Sequence, residues 1–152
     1  LGNTSILCDA GNKESVIKLN MNLKKRQHFQ PLAPILLEED FEKYFSINKS
    51  IVKNLEWMGT LCDAKQTLYN KYSSIIHVDG TCRTQIIKDK NSITYKILKN
   101  IKNYGSDILV NTSFNISKDP VVFDLFDVYV NMKRMKIKFI LMDDGLYQTI
   151  DV

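Results

Sequence analysis

The chain has 152 residues, 44% hydrophobic and 25% charged, a globular balance that excludes a disordered chain. Its 21 Lys and Arg against 17 Asp and Glu leave a net charge of +4, which suits an anionic ligand but is too scattered to mark a nucleic-acid surface. At this length one domain, residues 1–152, is expected, and no apolar run nears the ~18 residues of a membrane-spanning helix.

The opening LGNTSILCDAGNK lacks the basic and long apolar regions of a signal peptide, and it lacks an initiator Met, as expected of a piece cut from a longer chain. Cys8, Cys62 and Cys82 are far apart and odd in number, so the expectation is reduced thiols, a cytoplasmic protein and no thiolate metal site. With His28 and His77 alone, a His-rich metal site is not expected either.

Residues 16–23 half alternate and read as a strand. Pro31 and Pro34 stiffen the next stretch, and Glu38 to Phe45 reads as a short helix with acids in its first turn. Residues 50–72 are ambiguous: Ile51, Leu55, Met58 and Cys62 keep helical spacing, but Gly59 interrupts it. Residues 74–78 read as a strand ended by the turn pair Asp79-Gly80, and 84–87 as another. A helix is expected from Ser92 to Tyr104 with Gly105 as its left-handed cap, then a buried strand from Asp107 to Val110. Asp124 reads as the N-cap of a helix burying Leu125, Val128, Met132 and Met135. A hairpin closes the chain, 138–142 and 146–150 turning at Asp143-Asp144-Gly145. Mixed strands and helices without strict alternation give α/β, bordering on α+β.

Three segments gather polar groups. Lys24 and Arg26 share a face of an extended chain, with Lys25 pointing away, and two cations there can clamp a phosphate. The competing reading is a solvated basic turn. His77 to Arg83 sets an acceptor, a glycine and the Thr81 hydroxyl beside the Arg83 guanidinium; the competing reading is a self-bonded turn, with His77 packed in the core. Asn111-Thr112-Ser113-Phe114-Asn115 follows an apolar strand, where open sheets collect ligands outside strand carboxyl ends. Ser113 and Asn115 share a face there, and the competing reading is a strand-ending turn. Walker, GxGxxG, HExxH and GxSxG motifs are absent.

In order, LGNTSILCDA, NLKKRQHFQPLAP, HVDGTCRTQII and NTSFNISKDPVV resemble the C-terminal domain of the nodulation-type and antibiotic-tailoring O-carbamoyltransferases, over nearly the whole chain. The resemblance implies a YrdC-like fold, a twisted open mixed sheet with flanking helices and a basic concave cleft, and makes residues 55–65 a strand. It implies a domain that joins carbamoyl phosphate and ATP, with Mg²⁺, into carbamoyl adenylate. A preceding Kae1-like domain, holding iron, would pass the carbamoyl group to a substrate hydroxyl. By the KxR and SxN matches, Lys24 and Arg26 would hold phosphates and Ser113 and Asn115 the nucleotide, with Asn111 and Thr81 beside them. Arg83 would neutralise carbamoyl phosphate.

The chain departs from that pattern at Thr4 and Gln30 and near Gly11, where the family carries Arg, and at Lys118, where it carries Gly. Each Arg lost removes a donor typically worth ~1.5–3 kcal/mol in charged hydrogen bonds. Nucleotide binding without turnover and RNA binding are the alternative readings.

Overall fold

The computed structural model describes residues 4–27 and 29–149. The expected His28, the extreme N-terminus and the last residue of the closing hairpin lie outside the described residues.

The chain begins with β1 (Ser5–Asp9) and then a short helix, α1 (Lys13–Ile17), capped by Asn12, whose side chain accepts from Ser15 N at 3.0 Å. The helix runs on without a break as a π-helix over Lys18–Leu23, so the strand expected at 16–23 is not there. Burial explains it: Val16, Leu19 and Asn20, three and four residues apart, face the core, while Ile17 and Met21 face solvent. Then come β2 (Ala33–Leu37), a 3₁₀ turn at Glu38–Asp40, α2 (Phe41–Tyr44) and the two-residue β3 (Phe45–Ser46).

The ambiguous stretch resolves into a 3₁₀ helix at Lys49–Trp57, β4 (Cys62–Ala64) and α3 (Gln66–Tyr72). Of the strand that the resemblance implied over 55–65, only 62–64 is strand. The 3₁₀ helix stops at Met58, left-handed with φ 54°, and Gly59 N donates back to Asn54 O at 2.9 Å. The strand expected at 74–78 is also replaced. A 3₁₀ turn covers Ser73–Ile75, and a tight turn follows in which Gly80 N donates to His77 O and His77 N to Thr81 O. Pairing resumes in β5 (Thr81–Cys82) and β6 (Gln85–Ile87).

The later elements follow the sequence closely, except that Leu125, expected in the buried stripe of its helix, is 66% exposed because it opens that helix, about two turns before the buried Met132 and Met135. Ser92 caps α4 (Ile93–Ile101), a 3₁₀ turn continues through Tyr104, and Gly105 closes it at φ +81°. β7 (Ile108–Ser113) follows; Asp124 caps α5 (Leu125–Met135) by accepting from Asp127 N; β8 (Phe139–Met142) and β9 (Gly145–Gln148) form the hairpin.

Four strands make a mixed open sheet in the order β1-β7-β2-β6. β7 is antiparallel to both β1 and β2, and β2 is parallel to β6. All five residues of β2 are buried, because both faces of the sheet are covered. Leu36 faces the main core with Val16, Leu19, Leu68 and Tyr72; Ile35 and Leu37 face the opposite way, against Leu98 of α4. A third cluster, Phe114, Val122, Met132 and Met135, joins α5 and the β8–β9 hairpin to the sheet's end. Among the described residues, no helix is long and apolar enough to cross a membrane.

Candidate functional site

Antiparallel pairing decides where the polar segments meet. Ser5 is registered with Ser113, and Asn111 with Ala33, so the start of β1, the end of β7 and the start of β2 lie at one edge of the sheet. β6 runs parallel to β2 and starts opposite Ile35, so Arg83, just before β6, arrives at that same edge. The site therefore lies outside the carboxyl end of β7 but the amino ends of β1, β2 and β6. Pro34 precedes the β6 pairing, which begins at Ile35, so its missing N–H removes no bond to that strand.

A cleft opens along this edge in two connected halves of about 630 and 360 Å³. Arg26, Ala33 and Arg83 line both. The larger half adds Phe29, Gln30, Pro31, His77, Val78 and Asp79; the smaller adds Thr4, Ser5, Met58, Asn111, Thr112 and Ser113. One side is thus partly apolar and the other lined by hydroxyls and an amide, with two guanidiniums at the join.

Three cations sit together here without a carboxylate partner in the ion pairs of the described residues. Arg26 donates from Nη2 to Thr112 Oγ1 at 3.4 Å, and burial, then the nearby Arg83 charge, lower its pKa from the ordinary value. Lys24 is buried, and its Nζ reaches Ser113 O (2.8 Å), Ser113 Oγ (3.1 Å), Asn115 O (2.9 Å) and Asn115 Oδ1 (2.6 Å). Burial first, and Arg26 second, bring its pKa down from 10.5 to about 8. The chain achieves this spread by turning rather than by extending. Lys24 ends the π-helix, Lys25 takes a left-handed φ of 48° and is exposed, and Arg26 turns into the cleft.

The expected residues fall into two groups. Arg26, Arg83, Asn111 and Ser113 line the cleft directly. Lys24, Asn115 and Thr81 stand behind its wall. Ser113 Oγ donates to Asn115 Oδ1 at 2.6 Å, and Asn115 Nδ2 donates to Asp119 O at 2.6 Å, so the SxN loop is braced from both sides. Thr81 donates from N and Oγ1 to Asp79 Oδ1 at 2.9 and 2.7 Å, which lowers the Asp79 pKa. Gly80 makes this turn possible at φ +82°; a Cβ there would lie 2.9 Å from the Tyr69 hydroxyl.

His77 is not the packed core residue expected. It borders the cleft, with Nδ1 3.1 Å from Thr81 Oγ1. Phe29 and Val78 are cleft residues that the sequence does not single out for a role; both are exposed and apolar, and their only sequence signal is adjacency to the basic segments. Thr4 and Gln30, two of the positions where an Arg was missing from the pattern, both line the cleft, one in each half. No group of three or more His, Cys, Asp or Glu among the described residues is arranged to hold a metal.

Known proteins share this chain's sequence and fold. The family model described as carbamoyltransferase C-terminus matches residues 1–149. Nodulation protein NolO of Bradyrhizobium diazoefficiens is 35% identical over 129 residues, covering 84% of this chain and 23% of that protein. The 3'-hydroxymethylcephem-O-carbamoyltransferase of Streptomyces clavuligerus is 26% identical over 152 residues, 99% of this chain and 28% of that protein. The crystal structure of full-length HypF in its phosphate- and nucleotide-bound form superposes with a TM-score of 0.63 at 18% identity, covering 97% of this chain and 18% of HypF. The chain spans about a fifth to a quarter of the length of the curated relatives it matches. It belongs to the carbamoyltransferase C-terminus family.

Proposed function

We propose that this chain is the adenylating part of an O-carbamoyltransferase, forming carbamoyl adenylate from carbamoyl phosphate and ATP. One observation carries the reading: three segments distant in sequence bring Arg26, Arg83, and the pair Asn111 and Ser113 to one cleft, braced by a buried Lys24. That concentration of unpaired positive charge suits two polyanions held side by side, in a partly desolvated site where charge interactions are strong.

In this reading carbamoyl phosphate loses its phosphate to water, leaving carbamate. A carbamate oxygen then attacks the α-phosphorus of ATP, the bond to the β-phosphate oxygen breaks, and pyrophosphate leaves. Such a displacement needs alignment and charge neutralisation more than a strong base. Arg83 and Arg26 neutralise the phosphates, Ser113 and Asn111 orient the nucleotide from the hydroxyl-lined half, and Lys24, Asn115 and Thr81 hold those walls in place. The apolar half, with Phe29 and Val78, offers a surface for the base. Mg²⁺ would come bound to the nucleotide and shield its charge, because among the described residues Asp79 is the one carboxylate lining the cleft and it is already bonded to Thr81. The carbamoyl group would pass to a substrate hydroxyl held by a preceding Kae1-like domain, which would carry iron, in a cytoplasmic enzyme. The O-carbamoyltransferase relative and the nucleotide-bound HypF structure support this assignment by likeness.

Pyrophosphate release tests it. The natural polypeptide given Mg-ATP should release pyrophosphate only when carbamoyl phosphate is added. ATP binding without that release would replace the proposal with a nucleotide-binding domain that does not turn over, and an affinity for RNA that falls steeply with salt would favour RNA binding instead.

A further inference from the structure

The third cluster buries one side of α5 and of the β8–β9 hairpin and leaves the other side bare. Met132 and Met135 face inward, but Leu125, Phe126 and Tyr129 of the same helix face solvent, Phe126 at 72% exposure. Phe123, just before the cap, is 94% exposed. On the hairpin, Ile140 packs inward while Phe139 and Leu146 are exposed, Leu146 at 68%. A helix apolar on both sides belongs in the interior of something larger, and a two-stranded hairpin gains its stability from what packs on it. On α5, Leu125, Phe126 and Tyr129 share one flank of the helix, and with Phe123 beside its cap they mark an interaction surface rather than scattered exposure.

Most of each relative lies outside the matched region, which is 23%, 20% and 19% of the first three. We propose that the outer face of α5 and the β8–β9 hairpin is the seat of the remaining, larger part of the same carbamoyltransferase polypeptide, docked through an apolar, aromatic-rich interface. The inference rests on the reading of this chain as one part of such an enzyme. The face is also tied to the cleft. Arg134 of α5 bonds Asp119 Oδ2 at 2.8 Å, and the Asp119 carbonyl accepts from Asn115, which accepts from Lys24.

Photo-crosslinking in the full natural polypeptide tests the docking. p-Benzoylphenylalanine installed in place of Phe126 should link, at monomer mass, to a residue outside the 152 described by this sequence. The same group in place of Tyr104, 88% exposed on the far helix end, should give no such link. A link from position 126 at dimer mass would assign the face to a second copy, and links confined to these 152 residues, or none, would equally overturn the proposal. Because Phe126 is not among the residues lining the cleft, the two readings fail separately. Lost crosslinking with normal pyrophosphate release sinks only the docking; retained crosslinking without pyrophosphate release sinks only the adenylation.

Discussion

Lys24 Nζ lies 2.6 Å from Asn115 Oδ1, although 91 residues separate them in the chain. The contact fastens the end of the π-helix to the loop after β7 and sets a buried positive charge directly beneath the cleft wall. Lys24→Met keeps the apolar stem but leaves the carbonyls of Ser113 and Asn115 without their donor. Unpaired acceptors at this depth cost about 2 kcal/mol, a charged donor being worth ~1.5–3 kcal/mol. Urea unfolding should show that loss, and ATP affinity should fall with it.

The depressed pKa of Lys24 makes a second prediction, with two opposite signs. Between about 8 and the ordinary 10.5, the unfolded chain holds a proton that the folded chain has released. Unfolding then takes up a proton, so this residue's contribution to stability rises with pH across that window. An anion prefers the protonated lysine, so ATP affinity should fall as pH passes 8. Titration calorimetry from pH 7 to 9.5 should show weakening affinity that Lys24→Met no longer shows.

Arg83 is exposed, with no carboxylate partner among the described residues, so its removal should leave the fold almost untouched, within the ±0.5 kcal/mol typical of surface changes. Arg83→Ala should nonetheless abolish carbamoyl-phosphate-dependent pyrophosphate release. Lys25→Ala should retain both stability and turnover, since Lys25 is exposed and lines neither half of the cleft. Unfolding curves beside a pyrophosphate assay check both variants.

The residues that meet at the cleft were legible because they cluster in short polar segments, and the antiparallel sheet gathers those segments at one edge. The α4 and α5 caps, the strand at 108–110 and the final hairpin were legible too, since Ser92, Gly105, Asp124 and the Asp-Asp-Gly turn act locally. Residues 16–23 misled because Met21 and Leu23 supply a period-two pattern. What decides the segment is distant: Asn20 is buried and its Nδ2 donates to Gln30 O at 3.0 Å. Residues 74–78 misled for a related reason, as the turn at His77–Gly80 uses backbone bonds that a strand would have used. The outward placement of Val78, 87% exposed, follows from that turn and has no local signal.

Gln30 and Thr4 line opposite halves of the cleft, and each stands where the resemblance places an arginine. Gln30→Arg adds a third guanidinium near Arg26 and Arg83, and one charged hydrogen bond of ~1.5–3 kcal/mol corresponds to roughly tenfold or greater tightening. ATP should bind Gln30→Arg and Thr4→Arg at least several-fold more tightly at low salt. The gain should shrink as ionic strength rises, because the cleft is open to screening. Unchanged affinity in both variants would remove these two positions from the ligand's surroundings.

The thiols test the antiparallel pairing of β4 with β5, the strand that ends next to Arg83. Cys62 and Cys82 face each other across β4 and β5, both buried. Cys62 Sγ donates to Thr84 Oγ1 at 3.0 Å, and Cys82 Sγ to Ile75 O at 3.3 Å. Burial pushes the Cys8 and Cys62 pKa values up to about 11 and raises that of Cys82 further, so none is a thiolate at neutral pH. At pH 8 a thiol reagent should leave Cys62 and Cys82 unmodified in the folded protein, with slow reaction at the half-buried Cys8. Unfolding should expose all three at once. Rapid labelling of Cys82 under native conditions would mean that β4 and β5 are not paired as described, and with them would go the placement of Arg83 at the sheet's edge.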